Sequence, residues 1–232
     1  MTERPILFSA PMVRALLAGT KSQTRRIVKP QFAPDALPVE MPACDPIGGW
    51  VVSGHSGIWW CEAAANPDDT RRCPYGKPGD RLWVKETWAV GRCANGLKPA
   101  MLHGGTWLKD NGGLWYAAGG DPRHPISPKG KTRPSIFMPR WASRITLEVT
   151  GTRVQRLQDI SEADAVGEGI RISSQARRSD SCYGIYECQL PDGKTHFNDS
   201  AYDLYRKLWE SINGPGSWAA NPYVWVIAFK KL

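Results

Sequence analysis

The chain has 232 residues, 41% of them hydrophobic, and a formal net charge of +8. That length and apolar content exclude a disordered chain and suit one large folded domain with insertions. No run approaches the roughly 20 apolar residues of a membrane-spanning helix. Met1-Thr2-Glu3-Arg4-Pro5 also lacks a signal-peptide layout, so a soluble, cytoplasmic, monomeric protein is expected.

Ile6-Leu7-Phe8 reads as a short strand. Ser9 can cap the helix after it, with Pro11 in the first turn and Met12, Leu16 and Leu17 on its apolar side. Gly19 then fits the left-handed position that ends the helix, which puts Lys21 and Thr24 in or just beyond the turn. Arg25 to Val28 reads as extended and stops at Pro30. Residues 31–74 read as an irregular insertion with a hairpin of Trp50–Ser53 against Gly57–Cys61. A turn at Tyr75–Asp80 leads into a strand, Arg81 to Trp88, with Leu82, Val84, Glu86 and Trp88 on one face. Glu86 is either a paired structural carboxylate or a ligand-facing one.

Residues 89–138 form a second insertion, with a hairpin around Leu114-Trp115-Tyr116. Arg144 to Leu157 alternates as a strand. Ser161 caps a short helix with Asp164 at its third position, Glu168 as its last residue and Gly169 as its stop. A third insertion covers residues 171–200. Ser200 to Asn213 is an amphipathic helix burying Leu204, Leu208 and Ile212, and Tyr223 to Phe229 is the closing strand. Short strands with three small helices predict an α+β protein on a closed or partly closed β-barrel, a single domain spanning 1–232.

The net charge suits either an anionic partner or general solubility. Basic pairs at Arg25-Arg26, Arg71-Arg72 and Arg177-Arg178 are dispersed, which favours a pocket for a nucleotide-like ligand over a long duplex footprint. Eleven tryptophans either stack on bases or fill the core. Six cysteines show no CxxC pair. They are read as thiols, with a zinc site of Cys61, Cys73 or Cys93 with His55 and His103 as the alternative.

The densest chemistry lies in Lys21-Ser22-Gln23-Thr24-Arg25-Arg26. A threonine attacks an amide only if a neighbour takes its proton, and a lysine does so only when burial or nearby positive charge favours its neutral form. Arg25 and Arg26 supply such charge locally. The same residues also suit gripping a phosphate, and a solvated turn remains the plain alternative.

Three separated segments resemble the ASCH family of PUA-like β-barrels. They are Leu17-Ala18-Gly19-x-Lys21-x-x-Thr24-x-Arg26, Gly79-Asp80-x-Leu82-x-Val84, and Tyr223-Val224-Trp225-Val226-Ile227-Ala228-Phe229-Lys230. The chain is most similar to the small bacterial N4-acetylcytidine amidohydrolases, and also to longer tryptophan-rich ASCH proteins of phages. The resemblance implies a Lys-Thr-Glu triad, metal-independent and without cofactor: Lys21 and Thr24 by direct match, Glu168 through Ile160-Ser161-Glu162-x-x-Ala165-x-x-Glu168. Arg26 is expected at the substrate or oxyanion, with Trp83, Trp88 or Glu86 as further substrate contacts. The substrate implied is an N4-acylated cytosine nucleoside, free or within RNA. An RNA- or modified-base-binding module and an ASCH-type ribonuclease are the competing readings.

Overall fold

The computed structural model describes residues 1–32, 38–44, 50–61, 71–102, 108, 113–119, 127–173 and 186–232. Its centre is a five-stranded sheet ordered β1 (Glu3–Leu7), β6 (Arg81–Lys85), β10 (Thr146–Arg156), β14 (Tyr223–Lys231) and β2 (Gln23–Ile27). β1 runs parallel to β6, and the other neighbours are antiparallel. A register shift between Val149 and Gly151 bends β10 where it passes from β6 to β14. Among the described residues no backbone ladder joins β1 to β2, so the sheet is open between its two edge strands. The expected closure into a barrel is not drawn by these ladders, and the class is mixed α+β.

Three helices lie against this sheet: α1 (Ala10–Leu17), α2 (Glu162–Gly167) and α3 (Ala201–Asn213). Ile6, Leu16, Leu82, Leu147, Leu204 and Ile227 are all fully buried in the main core between sheet and helices. α2 and α3 are tied at their starts. The Glu162 carboxylate accepts from Ser200 Oγ (2.7 Å) and from the backbone N–H groups of Ala201 (2.8 Å) and Tyr202 (3.3 Å), the orphan donors of the α3 N-terminus.

The three expected insertions each contribute a three-stranded sheet: β3 (Pro38–Cys44), β4 (Trp50–Cys61) and β5 (Arg71–Arg72); β8 (Leu114–Tyr116), β7 (Trp88–Gly91) and β9 (Lys129–Arg133); β11 (Arg171–Ile172), β12 (Tyr186–Gln189) and β13 (Thr195–Asn198). Residues 50–61 are one 12-residue strand, not the expected hairpin. The expected strand over Arg81–Trp88 divides at Glu86 and Thr87, because Trp88 turns into a second core cluster with Val90, Leu114, Met138 and Ala142.

Two apolar positions were misplaced by periodicity alone. Ile212 is 54% exposed and Leu17 39% exposed. The buried stripe of α3 is Ala201, Leu204, Tyr205, Leu208 and Trp209, and Ile212 continues it beyond the packed sheet to the rim of a cavity.

Candidate active site

The turn after α1 is built to deliver Lys21 into the interior. Thr20 N–H donates to Ala15 O (3.0 Å) and Gly19 N–H to Leu16 O (3.2 Å), the paired closure of a helix whose C′ residue is left-handed. Gly19 supplies that conformation with φ of 73°. At the end of α2, Glu168 caps the helix and Gly169 reverses the chain at φ of 106°. A Cβ at Gly169 would stand 3.2 Å from Ala15 Cβ and 3.7 Å from Lys21 Cβ, so only glycine lets α2 close onto α1 and Lys21. Ser22 N–H completes the junction by donating to Gly167 O (2.9 Å).

Lys21 is buried, and its Nζ donates to Glu168 O (2.7 Å) and Glu168 Oε2 (2.8 Å). Burial pushes its pKa below the ordinary lysine value and Arg26 adds to this, while Glu168 opposes it. A neutral amine has two N–H bonds, and Glu168 accepts two. Its lone pair is then left to accept a third group's proton. The ammonium form instead holds a third donor.

Arg25 has a different role from the one expected. Its side chain is fully buried, with Nη1 on Glu168 Oε1 (3.2 Å) and Nη2 on Asp164 Oδ2 (2.8 Å). Glu168 is therefore gripped at one oxygen by Lys21 and at the other by Arg25. Burial alone would raise the Asp164 pKa, but Gln23, Arg25 and Arg153 together hold it below the usual value. Strand alternation sends Gln23 and Arg25 of β2 to α2, where Gln23 Nε2 donates to Asp164 O (2.7 Å). Thr24 and Arg26 share the alternate positions.

These residues line a cavity of about 530 Å³, within the size range of small-ligand sites. Lys21, Thr24, Arg25, Arg26 and Glu168 all contribute. Leu7, Phe8 and Ser9 line one side and the end of α3, from Tyr205 to Asn213, the other. The cavity thus occupies the open seam between β1 and β2. Arg26 spans that seam: Nη2 donates to Leu7 O (2.8 Å), Nη1 to Arg25 O (3.2 Å), and its guanidinium carbon lies 5.2 Å from the Phe8 ring centre. Ser9 Oγ, Arg25 Nε and Trp209 Nε1 are buried in this wall without a partner among the described residues. Ser9 occupies the N-cap of α1 as expected, but its side chain makes no capping bond.

Four of the seven expected site residues are therefore together: Lys21, Thr24, Glu168 and Arg26. Glu86 and Trp83 do not line the cavity. The Glu86 carboxylate forms a bidentate pair with Arg144 (2.8 and 3.0 Å) and is 1% exposed, the structural alternative for this residue. Trp83 lies beside the cations of Lys85 and Arg140, at 5.3 and 6.0 Å. Trp88 belongs to the second core cluster. Sequence reasoning missed Phe8, Tyr205 and Trp209 as cavity walls. The only signal for the last two was their shared face on α3.

Burial pushes the Cys188 thiol, near Lys21, up to about 12, so it stays protonated. Among the described residues no His, Cys, Asp and Glu cluster could hold a metal ion. His103 falls outside those residues, and the side chains of His55 and Cys61 are not described, so the alternative zinc set lies beyond them. No described helix is long and apolar enough to cross a membrane. Compared with protein-family models, characterised proteins and solved structures, the chain matches none.

Proposed function

We propose that the protein is an amidohydrolase of ASCH type that removes the acyl group from N4-acylated cytosine nucleosides. The observation that carries the reading is the buried Lys21–Glu168 pair in a cavity that Thr24 also lines. The open five-stranded sheet, with the Arg26 side chain spanning its seam, is read as the PUA-like barrel that the sequence resembles.

In the reaction, Thr24 Oγ1 attacks the amide carbonyl and Lys21 Nζ takes the hydroxyl proton. Collapse of the tetrahedral intermediate breaks the C–N bond, and the proton on Lys21 passes to the departing N4, which leaves as the cytosine amine. Water then hydrolyses the threonine ester, releasing the carboxylic acid. Glu168 orients Lys21 and stabilises its charged form once the proton arrives. Held at one oxygen by Lys21 and at the other by Arg25, it is a positioning group rather than the proton carrier. Arg25 and Asp164 fix Glu168 in turn.

Incubating the protein with a panel of N4-acylcytidines and following cytidine release tests this. Turnover is expected, without added metal. Tight, salt-dependent RNA binding with every acylcytidine left intact would favour the nucleic-acid-binding module and sink the amidohydrolase.

A further inference from the structure

We infer that the substrate carries a phosphate next to its nucleoside, and that Arg26 with the α1 N-terminus is the phosphate subsite. This rests on the amidohydrolase reading and narrows it from nucleosides to nucleotides.

The basic side chains around the cavity are not equally paired. Arg25 lies between Glu168 and Asp164 and Lys21 lies against Glu168, whereas Arg26 has no carboxylate partner among the described residues. It is partly exposed, lines the cavity, and spends its bonds on two main-chain carbonyls. Those bonds and the Phe8 ring fix the guanidinium plane without neutralising it. A fixed, uncompensated guanidinium is suited to a phosphate, which accepts several donors in its plane.

The α1 N-terminus adds to the same field. Ser9 lines the cavity, its hydroxyl is buried without a partner among the described residues, and it caps none of the first-turn N–H groups. A helix start left uncapped beside a cavity attracts anions. Thr24 and Arg26 are two residues apart on one strand, about 6.6 Å along it. The reacting amide and the phosphate would therefore sit at separate points of one cavity. An oxyanion role for Arg26 would instead bring its guanidinium to the amide carbonyl.

The test compares binding of cytidine, cytidine 5′-monophosphate and a short single-stranded oligoribonucleotide containing cytidine, by calorimetry at low salt. It then compares turnover of N4-acetylcytidine with that of its 5′-monophosphate. The phosphate-bearing ligands are expected to bind at least about tenfold tighter than cytidine, the scale of one charge-assisted contact. That gap is expected to close in Arg26→Gln and persist in part in Arg26→Lys. The tighter of the mononucleotide and the oligonucleotide identifies the phosphate's source. Equal binding of all three, or a gap that Arg26→Gln leaves intact, overturns the inference while nucleoside turnover leaves the amidohydrolase standing. So does an equal fall of kcat for nucleoside and nucleotide in Arg26→Gln. Because the gap is read first on the unaltered protein, a variant that fails to fold does not remove the test. If neither substrate is turned over, the amidohydrolase reading itself has failed.

Discussion

Lys21 is shifted toward its neutral form by burial first and by its sequence neighbour Arg26 second. Burial is the largest influence on its pKa, and Glu168 keeps it from falling further. As general base it works only when neutral, so kcat/KM should rise with pH and level off below the ordinary lysine pKa of 10.5. A profile flat from pH 5 to 9 would exclude a titrating base. Arg25 acts by a different route. Replacing it with methionine leaves Glu168 and Asp164 short of a partner inside the protein, at an expected cost of roughly 3–5 kcal/mol. Urea denaturation measures this, and an unchanged midpoint would show that the pairs contribute nothing.

At the scale of elements, the site depends on two helices tied together at their starts. Glu162 of α2 caps α3, and the two helices supply Glu168 and Trp209 to one cavity. Glu162→Ala should lower stability by about 1–2 kcal/mol, as lost N-caps do. It should also raise KM more than it lowers kcat, since α3 forms the wall and not the chemistry. Steady-state kinetics beside a thermal melt separates these, and a pure kcat loss would contradict it. Gly169→Ala strains a left-handed residue and pushes on Ala15, so α2 and Lys21 are expected to separate and stability to fall by roughly 1–2 kcal/mol. Most of these elements were legible in the sequence because their signals are local. Gly19, Ser161 with Asp164, and Gly169 each mark a helix end by chemistry that acts over three or four residues. Less legible was anything decided across the chain. Periodicity places Arg25 on a strand, but its burial depends on Asp164 and Glu168, about 140 residues away. Ile212 has the spacing of a core residue, and only the cavity in front of it leaves it exposed.

For the whole molecule, the same pairs set the response to acid. The Asp164 carboxyl is held below its usual pKa in the folded state, so it stabilises the fold above the unfolded value near 3.9 and loses that contribution as pH falls through the folded one. Melting temperature should therefore drop below about pH 4. Asp164→Asn should melt lower than the unaltered protein at pH 7 and converge with it in acid. Parallel curves would assign the acid limit to other groups. The three small sheets were not legible for the opposite reason to the helices. Several of their strands pair with partners far along the chain, so periodicity carries little of the information that pairing supplies.

The central claim is that a lysine made neutral by burial drives deacylation of a cytosine amide. Its most direct test is cytidine release from N4-acetylcytidine by the unaltered protein and by Lys21→Met, with a thermal melt of each to show that both are folded. Release by the unaltered protein and a fall in kcat/KM of about 10²–10⁴-fold in folded Lys21→Met is the expected result. Release by Lys21→Met at the unaltered rate would contradict the account, as would none by either protein.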